Sequence, residues 1–186
     1  MKFVETEIEG LVIVEPKVFG DHRGYFFESF NQKQFEKNIG KVKFVQDNES
    51  RSSFGVLRGL HFQKPPYNQA KLVRCIEGKV LDVAVDIRKG SPTFGKHVSV
   101  VLSDENKRQF FVSRGFAHGF VVLSKSAIFS YKVDNWYAPE YDSGILWNDP
   151  QLGIDWNIDS DSILLSGKDK ELKTLNLLDI PQEFAI

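Results

Sequence analysis

Two histidines stand inside strand-like runs, His61 in Val56-Leu57-Arg58-Gly59-Leu60-His61-Phe62-Gln63 and His118 in Gly115-Phe116-Ala117-His118-Gly119-Phe120. A core strand has no use for Arg58 or His61, because burying a charge or a titratable ring without a partner is costly. An imidazole, with an unperturbed pKa of about 6.5, suits a general base at neutral pH. A base that takes a proton from carbon needs the carbanion delocalised as an enolate, with a cation or donor aimed at the oxygen. Lys71, opening the next strand-like run, can supply that charge; its bland alternative is a solvated lysine on a barrel rim. Tyr131, in Phe129-Ser130-Tyr131-Lys132, is a candidate proton donor from the opposite face, or else a packing tyrosine. Base histidines usually take an orienting carboxylate. Asp82, on the polar parity of its strand, is one choice and Asp169 another. Ser166-Gly167-Lys168-Asp169 also fits a helix capping box, and from spacing alone Asp169 reads as the cap.

Two strand histidines also raise a metal. Cupin-type metal sites use a His-x-His pair with a glutamate and a further histidine on one barrel face. Here His61 is followed by Phe62-Gln63, so the pair is incomplete, although Gly115-x-x-His118 resembles the second cupin motif. A catalytic metal wants about three protein ligands, and the expectation is a site with none. Arg23, Arg58 and Lys168 together can bind a diphosphate, since the arginine fork matches phosphate geometry. Phe26, Trp136 and Tyr137 can stack on a base or sugar. Taken singly, each reads as a surface charge or a core aromatic. No Gly-x-Gly-x-x-Gly or Walker pattern accompanies them.

These groups must be held by strands. In a regular strand Arg58 and His61, three apart, face opposite ways. Gly59 between them suggests a bulge that lets both face one interior. Short apolar runs at 11–16, 25–30, 42–48, 71–76, 80–87, 97–102, 110–112, 116–123 and 127–133 read as strands. Gly20-Asp21, Arg23-Gly24 and Gly90-Ser91-Pro92 turn the chain, Lys64 to Gln69 is a loop by composition, and Glu77-Gly78 reads as a tight hairpin. Leu81, Val83, Val85 and Ile87 alternate with Asp82, Ala84, Asp86 and Arg88. Asn31 caps a helix over 32–39 that presents Phe35 and Ile39, and Gly40 ends it. After Trp136 turns dominate, with a short helix near 168–175. The expected architecture is mainly all-β: a jelly-roll barrel or sandwich forming one domain over 1–186, with a helix in its N-terminal half and a helical C-terminal tail.

The 186 residues carry 24 Lys plus Arg against 25 Asp plus Glu, a net charge of −1, which argues against a dedicated nucleic-acid binder. The single cysteine, Cys75, allows no intrachain disulfide and reads as a buried structural thiol. The N-terminal residues show no apolar signal region, and no apolar run approaches the roughly 18 residues of a membrane span. A cytoplasmic protein without a membrane partner is the expectation.

Six blocks occur in order: residues 19–28 (Phe19-Gly20-Asp21-His22-Arg23-Gly24-Tyr25-Phe26-Phe27-Glu28), Val45-Gln46-Asp47-Asn48, Val56 to Gln63, Lys71-Leu72-Val73-Arg74, Asp82-Val83-Ala84-Val85-Asp86 and Gly115 to Phe120. With Trp147-Asn148-Asp149-Pro150, Gly153-Ile154-Asp155-Trp156 and Ser166-x-Lys168-Asp169, the chain resembles the dTDP-4-dehydrorhamnose 3,5-epimerase family over essentially its whole length. The resemblance implies a metal-free, cofactor-free cupin-type jelly-roll, working as a homodimer on dTDP-4-dehydro-6-deoxy-glucose. It implies His61 as the base and Asp169 as its partner, which displaces the capping reading, with Tyr131 as proton donor and Lys71 on the enolate. It assigns Arg23, Glu28, Gln46, Asp47, Asn48, Arg58, His118 and Lys168 to the nucleotide-sugar, with Phe26 and Tyr137 near the thymine. Asp142 takes the place of a family glutamate, with Glu140 as the alternative. Trp136 departs from the usual tyrosine, and Ser113-Arg114 replaces the common Pro-Glu before Gly115.

Overall fold

The computed structural model describes residues 1–184; positions 185 and 186 of the expected domain lie outside the described residues. The strands are β1 (Lys2–Glu5), β2 (Leu11–Glu15), β3 (Val18–Asp21), β4 (Gly24–Phe27), β5 (Gln46–Ser53), β6 (Leu57–Gln63), β7 (Lys71–Glu77), β8 (Lys79–Asp86), β9 (His97–Ser103), β10 (Gln109–Val112), β11 (Phe116–Val122), β12 (Ser126–Val133) and β13 (Asp142–Gly144). Two α-helices join them, α1 (Gln32–Asn38) and α2 (Gly167–Lys170). One antiparallel sheet runs β1-β2-β10-β7-β12-β5 and a second runs β13-β6-β11-β8-β9, while β3 and β4 pair only with each other. The two sheets face one another as the expected jelly-roll sandwich.

Three apolar layers follow from the period of two. Between the sheets lie Val73, Phe110 and Phe129 from one side and Val80, Val100 and Phe120 from the other. Outside the five-stranded sheet, Leu57, Leu60, Leu81, Val83 and Val85 meet the C-terminal segment through Ile145, Leu152, Trp156 and Leu175. Outside the six-stranded sheet, α1 lays Phe35 against Phe111 at 5.3 Å between ring centroids. Each fully buried Leu, Val or Phe contributes about 1.5–3 kcal/mol. The alternation in β8 is therefore real, but neither parity meets water: Asp82 and Asp86 are buried along with their apolar neighbours.

Several local expectations are corrected. Glu77-Gly78 is not a hairpin, since β7 and β8 belong to different sheets. Gly78, at φ +83°, turns a corner between the sheets where a Cβ would meet the Ser126 carbonyl oxygen at 2.2 Å. The run at 25–30 leaves its strand after Phe27, and 42–45 precede β5, because Phe30 and Phe44 pack on Phe35 beneath α1. Asn31 caps α1 as expected, its Oδ1 accepting from the Gln34 N–H at 3.0 Å. The helical tail is the single turn of α2 followed by 3-10 turns at Leu175–Leu177 and Gln182–Phe184. Cys75 is buried, and burial pushes its thiol up to about 12, as an inert structural residue requires.

Candidate active site

The site begins with a miscount between neighbouring strands. His61 of β6 stands opposite His118 of β11, and Arg58 opposite Phe120, so three steps on β6 match two on β11. The extra residue is a bulge at Gly59-Leu60, whose peptide bond is cis. Gly59 has φ +132°, and a Cβ there would lie 2.5 Å from the Gly119 Cα and 2.9 Å from the His118 carbonyl oxygen. Only two facing glycines allow the backbones this close. Arg58 and His61 consequently line one cavity of about 490 Å³, while Leu60 turns to the opposite face and is fully buried.

His61 Nε2 lies 2.5 Å from Asp169 Oδ1, and the Asp169 side chain is only 4% exposed. Burial alone raises that carboxyl, but the bond and charge of His61, the Ser166 bond and Lys168 together hold it below the usual range. The carboxylate therefore accepts from Nε2–H, and Nδ1 is the ring nitrogen free of Asp169. The cap and the dyad coexist. Ser166 Oγ accepts from the Asp169 N–H at 3.1 Å, so the hydroxyl closes the start of α2 and frees the carboxylate for His61.

Asp82, the other carboxylate weighed for His61, belongs instead to His118, whose Nε2 lies 2.8 and 3.0 Å from its two oxygens. Both are buried, and of the two His118 lines the cavity. Lys71, at the start of β7, reaches the same cavity from the other sheet; burial pushes its ammonium down to about 8 against the opposing pull of Asp142 and Asp82. Tyr131 on β12 lines it too. Burial raises its phenol, Arg58 lowers it, and Asp142 and Tyr137 raise it further. His61 and Tyr131 thus stand on opposite walls, one from each sheet. At the mouth Lys168 pairs with Asp142, whereas Glu140 is exposed. Arg58 Nε donates to Ser52 Oγ at 3.2 Å.

Other expected contacts are not gathered into this cavity. Arg23 and Phe26 lie on the β3–β4 hairpin, exposed, with Arg23 held bidentately by Asp21 and Phe26 71% exposed. Glu28 follows the hairpin and accepts from Gln34 Nε2 at 3.4 Å. Gln46 and Asp47 border a separate hollow beside α1, where Asp47 pairs with Lys132 at 2.8 Å. Asn48 accepts from Gln46 Nε2 at 2.8 Å and stands opposite Tyr131 in the ladder. Tyr137, 56% exposed, is not part of the cavity lining, but its charge acts on Tyr131 and Lys168 and raises both. The cavity also uses residues that motif reading passes over: Phe120 and Phe129, stacked at 4.0 Å, and Ser50, Leu164 and Leu165. Inward strand parity signals the two phenylalanines; nothing local signals the leucines, which arrive from the C-terminal segment. Larger hollows of about 680 and 1050 Å³ lie around α1 and β1–β2, and neither contains a histidine. Among the described residues, no group of three or more His, Cys, Asp or Glu can hold a metal ion.

Residues 5–176 match the family described as dTDP-4-dehydrorhamnose 3,5-epimerase. The chain is 59% identical to an enzyme of that name from Shigella flexneri, covering 91% of this chain and 93% of the relative. It is 58% identical to the one from Escherichia coli K12, covering 96% of each. A solved structure from Legionella pneumophila, a dTDP-6-deoxy-D-glucose-3,5-epimerase in complex with dTDP-4-keto-L-rhamnose, is similar at a TM-score of 0.92 and 54% identity. That similarity covers 96% of this chain and 94% of the Legionella chain.

Proposed function

This chain belongs to the dTDP-4-dehydrorhamnose 3,5-epimerase family, and from that premise we propose that it converts dTDP-4-dehydro-6-deoxy-D-glucose to dTDP-4-dehydro-L-rhamnose. On this reading it works as a homodimer of single 1–186 domains in the cytoplasm. The observation that carries the reading is the His61–Asp169 pair at 2.5 Å facing Lys71 and Tyr131 across one cavity.

The C4 ketone acidifies the protons at C3 and C5. His61 Nδ1 takes one of them, and Asp169 stabilises the imidazolium that forms. The electron pair left on carbon moves into the C4 carbonyl as an enolate, which the Lys71 ammonium stabilises. The pair then returns to the same carbon, where Tyr131 delivers a proton to the other face. Solvent reprotonates the tyrosinate and takes the proton from His61. One C–H bond breaks and one forms at each centre, so no oxidant, reductant or cofactor enters the balance. Arg58 and Lys168 suit the diphosphate; His118, Asn48 and Asp142 suit the sugar and its linkage, and Tyr137 the base.

The homodimer is supported by what the hairpin leaves exposed. Val18, Phe19, Tyr25 and Phe26 present apolar surface that their own chain does not cover, and such patches mark contact surfaces. In a two-fold dimer the same hairpin can bring Arg23, Phe26 and Glu28 to the cavity of a second copy. The deciding experiment is incubation with dTDP-4-dehydro-6-deoxy-glucose in deuterated water, trapping the product with a 4-ketoreductase and NADPH. Deuterium at both C3 and C5 by NMR is expected. Label at C3 alone would sink the double inversion.

A further inference from the structure

Gln63 closes β6 two residues after His61, and it is 5% exposed. A buried primary amide must satisfy two donors and an acceptor. Gln63 does so with backbone groups of two different loops. Its Nε2 donates to the Tyr67 carbonyl at 2.6 Å and to the Trp136 carbonyl at 3.1 Å. Its Oε1 accepts from the Ala138 N–H at 2.7 Å. The carbonyl of 136 and the N–H of 138 belong to the two peptide groups that flank Tyr137. One side chain therefore pins the backbone on both sides of that residue.

We propose that Gln63 is a positioning residue for nucleotide binding, fixing the main chain around Tyr137 and so aiming its ring at the cavity mouth. The inference rests on the reading of Tyr137 as a contact of the thymine. Tyr137 is otherwise weakly held, being more than half exposed, and a loop residue without such anchors samples many directions at an entropic cost on binding. The surrounding segments are tied to the same frame. Asn135 Nδ2 donates to the Pro66 carbonyl at 2.9 Å, and Gln69 Nε2 donates to the Asn135 carbonyl at 2.8 Å. The Gln63 backbone also pairs with Asp142 on β13. The amide thus couples the aromatic loop to the strand that carries His61.

A double-mutant cycle read by calorimetric titration with dTDP tests this. Gln63→Leu and Tyr137→Ala are each expected to weaken dTDP binding roughly tenfold. The double variant is expected to bind no more weakly than Tyr137→Ala alone, because a positioning effect vanishes with the group positioned. In turnover, the Gln63→Leu loss falls on KM rather than kcat. Wild-type affinity in Gln63→Leu, or losses that multiply in the double variant, would overturn the proposal. If Gln63→Leu fails to fold, Gln63→Glu enters the same cycle, since it keeps the acceptor for Ala138 and removes the donor to both carbonyls. Absence of dTDP binding by the unaltered protein would instead strike the proposed function, and is read first.

Discussion

Asp169 serves the site with two different atoms: its N–H closes the Ser166 cap and its carboxylate holds His61. Asp169→Asn should therefore fold normally, because the backbone bond survives, and yet lose activity. On the proposed mechanism His61→Ala removes the base outright. Each is expected to slow deuterium uptake at C3 on the order of 10²–10⁴-fold. Lys71 gives a pH dependence of definite sign. The proposed mechanism needs its ammonium on the enolate, and with its pKa pushed down to about 8 it loses its proton as pH rises through that value. The rate should fall on the alkaline side of about pH 8, while the Tyr131 phenol, raised by burial, keeps its proton there. Asp142 opposes the downward shift, so Asp142→Asn should move this limb to lower pH, as read from kcat against pH. The residue types of the site are legible in the chain: a histidine, a lysine and a tyrosine set in strand patterns. The partner of His61 is not legible from spacing. Asp169 lies 108 residues away, and local capping chemistry explains it equally well until the tertiary contact is seen.

At the scale of elements, the bulge is the part of the site that elementary reasoning reaches. Arg58 and His61 have the wrong parity for one interior, and Gly59 is the residue that can correct it. The register of β6 on β11 bears this out. Gly59→Ala should cost about 2–4 kcal/mol, because it strains a positive φ and drives a Cβ into the Gly119 backbone. The measure is the denaturant midpoint, and activity should fall with it as Arg58 and His61 move apart. Glu77-Gly78 shows where the same reasoning stops. Turn chemistry says that the chain changes direction, but not which sheet receives the next strand. Only the pairing of β8 with β11 and β9 decides that Gly78 is a corner between layers. Likewise Phe30 and Phe44 read as strand residues by composition, and the pull of Phe35 on α1 takes both out of the ladder.

At the scale of the molecule, the exposed β3–β4 hairpin separates Arg23 and Phe26 from the cavity that the motifs assign them to. Order along the chain carries the motif but not the copy in which it acts. The proposed homodimer makes a direct test. His61→Ala and Arg23→Ala chains, each inactive alone, should recover roughly a quarter of wild-type activity when unfolded, mixed in equal amounts and refolded, since random pairing leaves one intact site in each mixed dimer. No recovery would mean that base and arginine must come from one chain.

The division of the site between sheets has a further meaning. His61 hangs from one sheet of the sandwich and Tyr131 from the other, and between the sheets the rings of Phe120 and Phe129, one from each, stack with centroids 4.0 Å apart. Facing sheets keep a separation of about 10 Å set by such side chains. Core packing is then a gauge block for stereochemistry. On the proposed mechanism, the thickness of the hydrocarbon filling decides how far apart proton removal and proton delivery occur, and with it how faithfully a carbon that loses its proton on one face regains one on the other.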